Sequence, residues 1–342
     1  MALPPAEPPG RAGQTVKGRD MKAIAAKSLK MVYRSGVLLK RKVALDSLDL
    51  AVEEGEIFGY LGPNGAGKST TIKILTGIAR ATAGTAEILG APAGSLEARR
   101  NTGLLPEEPH FYEYLRAAEA LFLYARLSGL RRREARSRCD EVLEQVGLAG
   151  SRRRRLGDFS RGMRQRFGLA QAIVHRPRVL LLDEPMSGLD SPERRDIQEL
   201  TLRLRDAGTT VFLSSHALHD VEKICDRVGI VHRGRLQAVG KLSDVLPRRV
   251  KCVDLSADGV SPEGLRKLED FATTLSKDGA STWARVREDE VGKAIDIIRG
   301  AGGQIREVAP RRMTLEKAFL QMSRKAGPAE EEERDDADDS GV

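Results

Sequence analysis

The chain has 342 residues, enough for about two ordinary domains, and can bury a core without disulfide or metal staples. That length excludes a peptide hormone and a small toxin; hydrophobic residues make up 40%, charged residues 31% and aromatics 4%, and no run approaches the roughly 18 apolar residues of a membrane span, so the chain is not expected to cross a bilayer. Net charge is +8, but residues 330–342 hold eight acids and one arginine, so residues 1–329 carry +15 and point to an anionic partner: nucleotide, nucleic acid or an anionic membrane surface.

Residues 1–20 are rich in Pro, Gly and Ala, lack the apolar stretch of a secretory signal, and are expected to form a disordered leader or to lie upstream of the real start at Met21. From 21 to 242, short aliphatic runs alternate with helix-length amphipathic segments, which predicts an α/β domain with a largely parallel sheet. Strands are predicted at 57–61, 179–182, 211–214 and 228–231. Between them, apolar spacing through Leu121, Tyr124, Ala125 and Leu127, then through Val142, Leu143 and Val146, predicts a helical subdomain over about 110–175 on the rim of the sheet. Residues 243–325 are expected to form a small α+β domain of order βαβαβα, with strands at 250–255, 281–286 and 304–308 and helices at 262–275, 289–300 and 314–322. Its Trp283 is expected to pack inside. Residues 326–342 are expected to be an acidic disordered tail.

The run Gly62-Pro63-Asn64-Gly65-Ala66-Gly67-Lys68-Ser69-Thr70 fits G-x-x-x-x-G-K-[ST], directly after a predicted strand and at the start of a helix. Glycines let the backbone curl so that consecutive N–H groups point at phosphate oxygens, and the helix amino terminus adds positive potential. Lys68 is expected to reach the β- and γ-phosphates and Ser69 to hold Mg²⁺. Farther along, Val179-Leu180-Leu181-Leu182-Asp183-Glu184-Pro185 is an apolar strand that ends in two carboxylates. Asp183 suits Mg²⁺, usually through water, and Glu184 suits a general base for an attacking water.

Those two motifs alone fit GTPases, kinases and recombinases as well. Phe159-Ser160-Arg161-Gly162-Met163-Arg164-Gln165-Arg166, however, resembles the signature of ATP-binding cassette (ABC) ATPases. Ser187-Gly188-Leu189-Asp190 resembles their D-loop, Ser214-Ser215-His216 their switch histidine, and Tyr33 is placed like the aromatic that stacks on adenine. The resemblance covers about residues 24–240. It implies a P-loop ABC ATPase fold, an ATP-binding and ATP-hydrolysing subunit, and a head-to-tail dimer with a second cassette, most simply another copy. Each ATP would then lie between the Lys68 loop of one subunit and Ser160 and Gly162 of the other, with His216 on the γ-phosphate and Asp190 communicating across the dimer. It also implies a separate transmembrane permease, which places the chain in the cytoplasm, peripheral on the cytoplasmic face of the membrane.

Departures from the family pattern refine this expectation. Phe159, Arg161 and Met163 surround the retained Ser160 and Gly162, and Glu107 stands where a glutamine usually senses γ-phosphate and the membrane partner. A carboxylate can accept from a Mg²⁺-bound water but cannot donate as an amide does. Both departures resemble the subgroup that serves ABC-2-type exporters, which often carries a small C-terminal domain. The alternative, a soluble mechanochemical ATPase acting on ribosome or DNA, generally has two cassettes in one chain or long coiled coils, and this chain has neither. The arginine runs 131–133 and 152–155 lack the interleaved aromatics of a base-stacking surface, so no nucleic acid is expected; they read as a solvated rim or a contact to anionic lipid. His216 and His219 form an H-x-x-H pair without a third ligand, and His110, His175 and His232 are expected to be structural. Cys139, Cys225 and Cys252 lie far apart and read as small core hydrophobes in a reducing cytosol.

Overall fold

A computed structural model describes residues 22–35, 40–245, 252–279 and 281–311; the expected leader, the helix expected at 314–322 and the expected acidic tail lie outside them. The chain opens with an antiparallel pair, β1 (Lys22–Ser35) and β2 (Lys40–Glu53), which places Tyr33 opposite Lys42. It then enters the centre of the molecule with β3 (Ile57–Leu61), turns through the glycine-rich loop and continues as α1 (Lys68–Leu75). β4 (Ala83–Ile88) and β5 (Ala91–Pro92) complete a four-stranded sheet of order β2-β1-β4-β5. This second, antiparallel sheet comes in addition to the expected largely parallel one. Its strands alternate polar and apolar residues because one face is wet, so they lack the continuous aliphatic run that marks a buried strand.

After α2 (Leu96–Arg100) and β6 (Thr102–Leu105) come the helices α3 (Ala117–Leu127), α4 (Arg132–Gln145) and α5 (Arg161–Ile173). Leu121, Ala125, Val142, Leu143 and Val146 are buried as the spacing predicts, but Leu127 is 75% exposed at the last turn of α3. The apolar stripe there outlasts the surface it packs on. Buried Arg138 of α4 ties this unit to α5: its Nε donates to Val174 O at 3.2 Å and its Nη2 to Ile173 O at 2.9 Å, which satisfies carbonyls that a helix end leaves open.

The rest of the first body is β7 (Val179–Asp183), α6 (Ser191–Asp206), β8 (Thr210–Ser215), α7 (Leu218–Val221), β9 (Arg227–His232), β10 (Arg235–Gly240) and α8 (Leu242–Val245). The central sheet runs β10-β9-β3-β8-β7-β6, parallel throughout except for the antiparallel β10. Successive strand residues serve opposite faces. Ile57, Leu61, Leu180, Leu182, Val211 and Leu213 enter the core shared with the helices, whereas Phe58, Tyr60, Val179, Leu181 and Phe212 enter the core shared with α1 and the antiparallel sheet. Two-sided burial explains why these strands read as unbroken aliphatic runs. Parallel register then brings Leu61 beside Ser215 and Asp183 beside Ser214, at one edge of the sheet.

The second body comprises β11 (Cys252–Asp258), α9 (Pro262–Glu269), β12 (Thr274–Asp278), β13 (Ser281–Arg287), α10 (Val291–Gly300) and β14 (Gln304–Arg311). Its antiparallel sheet has the order β12-β13-β11-β14, a split βαβ arrangement, and its core joins Leu255, Ala257, Ala284 and Val286 to Leu268 and Ile298 of the helices. Two expectations are corrected here. The helix expected over 262–275 stops at Glu269, and β12 follows, held by pairing with β13 rather than by an apolar pattern of its own. Trp283 is 49% exposed rather than packed: it alternates with buried Thr282 and Ala284 and so stands on the face away from the helices, between Ser256 and Ser276 of the flanking strands.

Candidate functional site

The glycine-rich loop owes its shape to contacts that only glycine allows. Gly67 holds φ of +107°, and a Cβ there would stand 2.7 Å from Ala44 O; at Gly62 a Cβ would stand 2.5 Å from Val231 O. Gly62 N–H donates to Ser215 O at 3.3 Å and Ala66 N–H to Pro63 O at 3.2 Å, so the loop is braced against β8 and against itself. The first-turn amides of Lys68, Ser69 and Thr70 have no preceding helical carbonyl, and they carry the positive end of the α1 dipole.

Lys68 folds back over this loop. Its buried Nζ donates to Gly62 O at 2.7 Å and Pro63 O at 3.2 Å and lies 3.2 Å from Glu184 Oε1. Glu184 reaches that position from the end of β7 with a left-handed φ of +48°, uncommon for any residue but glycine and held here by hydrogen bonds from its N–H to Ser214 O at 3.2 Å and Ser214 Oγ at 3.1 Å. His216 Nδ1–H donates to Glu184 Oε2 at 2.9 Å and His216 N–H to the same oxygen at 3.3 Å. Beside it, Ser214 Oγ–H donates to Asp183 Oδ1 at 2.6 Å. Both carboxylates thus sit buried and oriented, and one is paired with the cradle lysine.

A cavity of about 580 Å³ opens above the cradle. Asn64, Gly65, Gly67, Lys68, Ser69 and Thr70 of the loop and the start of α1 line it, together with Glu107, Glu184, Tyr33, Arg34, Lys42 and Ala44. The structure therefore brings Tyr33, Glu107, Glu184 and most of the loop together. Gly62, Pro63 and Ala66 shape the loop instead of lining the cavity, and Asp183 and His216 do not line it either, though His216 is bonded to Glu184. Arg34 and Lys42 were not identified from sequence; only the β1–β2 register, which sets Lys42 across from Tyr33, reveals them. Their charge adds to the attraction for an anion.

Ser160, Gly162 and Asp190 lie apart from this cavity. Ser160 is exposed and caps α5, its Oγ accepting from Met163 N–H at 3.2 Å, while Asp190 caps α6, its Oδ1 accepting from Glu193 N–H at 2.8 Å. Gly162 is buried beneath the carboxylate of Glu193. His219 Nε2 accepts from Arg194 Nη1–H at 2.7 Å, a surface contact. His175 donates from its ring to Thr102 O at 3.1 Å, and burial, with the nearby Arg138 charge, holds its pKa below the usual imidazole range.

A phosphate cradle at the carboxyl edge of a parallel sheet, faced by a buried carboxylate one strand removed, defines a P-loop nucleotide hydrolase. Comparison with known proteins narrows the class. The family profile described as ABC transporter matches residues 45–187. An ABC transporter ATP-binding protein of Synechocystis sp. is 37% identical over 299 residues, 86% of this chain and 83% of that protein. The daunorubicin resistance ATP-binding protein DrrA3 of Streptomyces coeruleorubidus is 34% identical, covering 82% of this chain and 92% of its own length. The bacitracin transport ATP-binding protein BcrA of Bacillus licheniformis is 41% identical, over 56% of this chain and 63% of its own. Among solved structures, an ATP-binding subunit of an ABC transporter superposes with a TM-score of 0.58 at 31% identity, covering 65% of this chain and 91% of that one. A dimeric cassette in a post-hydrolysis state with ADP and Pi gives 0.59 at 26% identity, covering 64% and 98%. The chain belongs to the ATP-binding proteins of ABC transporters and is an ATPase with the P-loop cassette fold.

Proposed function

We propose that this chain works as one of two cassettes that power a separate membrane permease of the ABC-2 export type. One observation carries the two-cassette part: the Lys68 cavity lacks Ser160 and Gly162, so a single chain supplies only half of each nucleotide site. Export is supported by relatives named for bacitracin transport and for daunorubicin and linearmycin resistance. No helix among the described residues is long and apolar enough to cross a membrane, which suits a separate permease, with this chain at the cytoplasmic face. Exposed arginines at 131–133 and 152–155 suit an anionic leaflet.

The residues present fit ATP and Mg²⁺: free first-turn amides, a lysine within the loop and an oriented carboxylate pair. Mg²⁺, held by Ser69, Asp183 and, through water, Glu107, would offset charge that develops on the β- and γ-phosphate oxygens. Lys68 exchanges the carbonyls of Gly62 and Pro63 for phosphate oxygens and leaves Glu184, which frees that carboxylate to accept a proton from the attacking water. His216 orients Glu184 through Oε2 and meets the γ-phosphate. Tyr33 stacks on the adenine. Ser160 and Gly162 of the opposite copy close the site, and Asp190 links the two sites across the dimer.

The test is dimerisation. Size exclusion with light scattering should show ATP converting the Glu184→Gln chain to a dimer. Adding Ser160→Arg should keep it monomeric while leaving ATP affinity within about twofold, because Ser160 is remote from the chain's own cradle. Dimers of the Ser160→Arg chain would overturn the proposal. Gly162→Asp is the poorer probe, since its side chain would overlap Glu193 within the same chain.

A further inference from the structure

Two crossed contacts join the signature segment to the loop before α6 inside one chain. Arg161, the first residue of α5, lays its guanidinium into the space at Gly188, where a Cβ would overlap Cζ and both Nη atoms. In the opposite direction, Glu193 from the first turn of α6 sets its carboxylate against Gly162, where a Cβ would overlap Oε1 and Cδ. Each long side chain fits only because the residue it meets is glycine.

The placement of these contacts gives them meaning. Ser160 caps α5 and Asp190 caps α6, so the residues that would face a second copy are the caps of the two helices joined by the crossed contacts. Gly188 also holds a left-handed φ of +66°, which turns the chain toward Asp190. Arg161 is exposed, no side-chain hydrogen bond or ion pair of it is found among the described residues, and its guanidinium lies against Gly188. A planar guanidinium suits that packing on a bare backbone better than a compact ammonium does.

We propose that Arg161 is a positioning residue for ATP hydrolysis: through Gly188 it locks the signature segment to the loop of Asp190, so that Ser160 and Asp190 reach the second copy as one unit. The assignment rests on the two-cassette reading above. Steady-state ATPase assays on the full chain test it. Arg161→Ala should lower kcat roughly tenfold with KM for ATP within about twofold, since misplacement by about an ångström costs up to about a hundredfold in rate while the chain's own cradle is untouched. Arg161→Lys should recover part of the loss. Gly188→Ala, strained by its φ of +66° in either background, should cost less in the Arg161→Ala background than alone by the part that the overlap with the guanidinium adds.

An unchanged kcat in Arg161→Ala, a rise in KM alone, or independent multiplication of the two substitutions would overturn the assignment. Should Arg161→Ala melt well below the parent, Glu193→Gln, which keeps the side-chain shape, must still give parental KM, and a shifted KM there overturns it too. The two readings fail differently: a Ser160→Arg chain that dimerises with ATP sinks the two-cassette reading. Loss of that dimer together with parental turnover of Arg161→Ala sinks only the role of Arg161.

Discussion

Glu184 carries the most constrained geometry in the site: a left-handed backbone, a buried carboxylate, Lys68 on one oxygen and His216 on the other. Such a group is held for use, because a backbone in a sparsely populated region persists only where its surroundings over-determine it. Glu184→Gln preserves shape and the chance to accept from His216 but removes the base. It should cut turnover by about 10²- to 10⁴-fold while nucleotide binding persists, as single-turnover hydrolysis and equilibrium binding would show. Near-parental turnover would remove Glu184 from its role. Lys68, Asp183 and Glu184 were legible in the sequence because each stands in a short motif, a glycine-rich loop or an apolar strand ending in carboxylates, although Ser214 and His216, which orient the two carboxylates, come from β8 and the residue just after it. Arg34, Lys42 and the partners of Gly62 and Gly67 were not, since those contacts join residues distant along the chain.

At the level of the elements, the buried strands and the helices around them followed from periodicity, whereas β1, β2, β4 and β12 did not. A strand with one wet face, or one held mainly by its neighbour, leaves a weak pattern. The junction of α5 with β6 gives a measurable consequence. His175 just beyond α5 is bonded to Thr102 O of β6, and burial lowers its pKa from the usual imidazole value. Its pKa is lowered on folding, so as pH falls through about 6.5 the unfolded chain takes up a proton that the folded chain does not. Stability is therefore unaffected above that pH and is lost below it, down to the folded-state pKa. Thermal melts should fall more steeply between about pH 7 and 5.5 for the parent than for His175→Gln. Parallel pH profiles would mean that folding leaves the proton affinity of the ring unchanged.

For the whole molecule, the second body presents an open sheet face away from its helices. Trp283, the chain's single tryptophan, stands half-exposed on that face and reports on it directly. Its fluorescence should be readily quenched by iodide in the full chain; protection from iodide would show that another surface covers this face. In the sequence, the loop ending in Lys68 and Ser69 and the strand ending in Asp183 and Glu184 marked a P-loop nucleotide site, and the resemblance of the segments around Ser160, Asp190 and His216 implied the ABC type, because a phosphate cradle and its carboxylates are built from short segments whose chemistry is local. Tertiary structure decided which of those residues share a cavity, that Lys68 and Glu184 pair within it, that Arg161 and Glu193 cross between two helices, and that Trp283 faces outward. Those outcomes depend on strand order, register and which face of each strand is covered, and these are fixed only when segments far apart in the chain pack together.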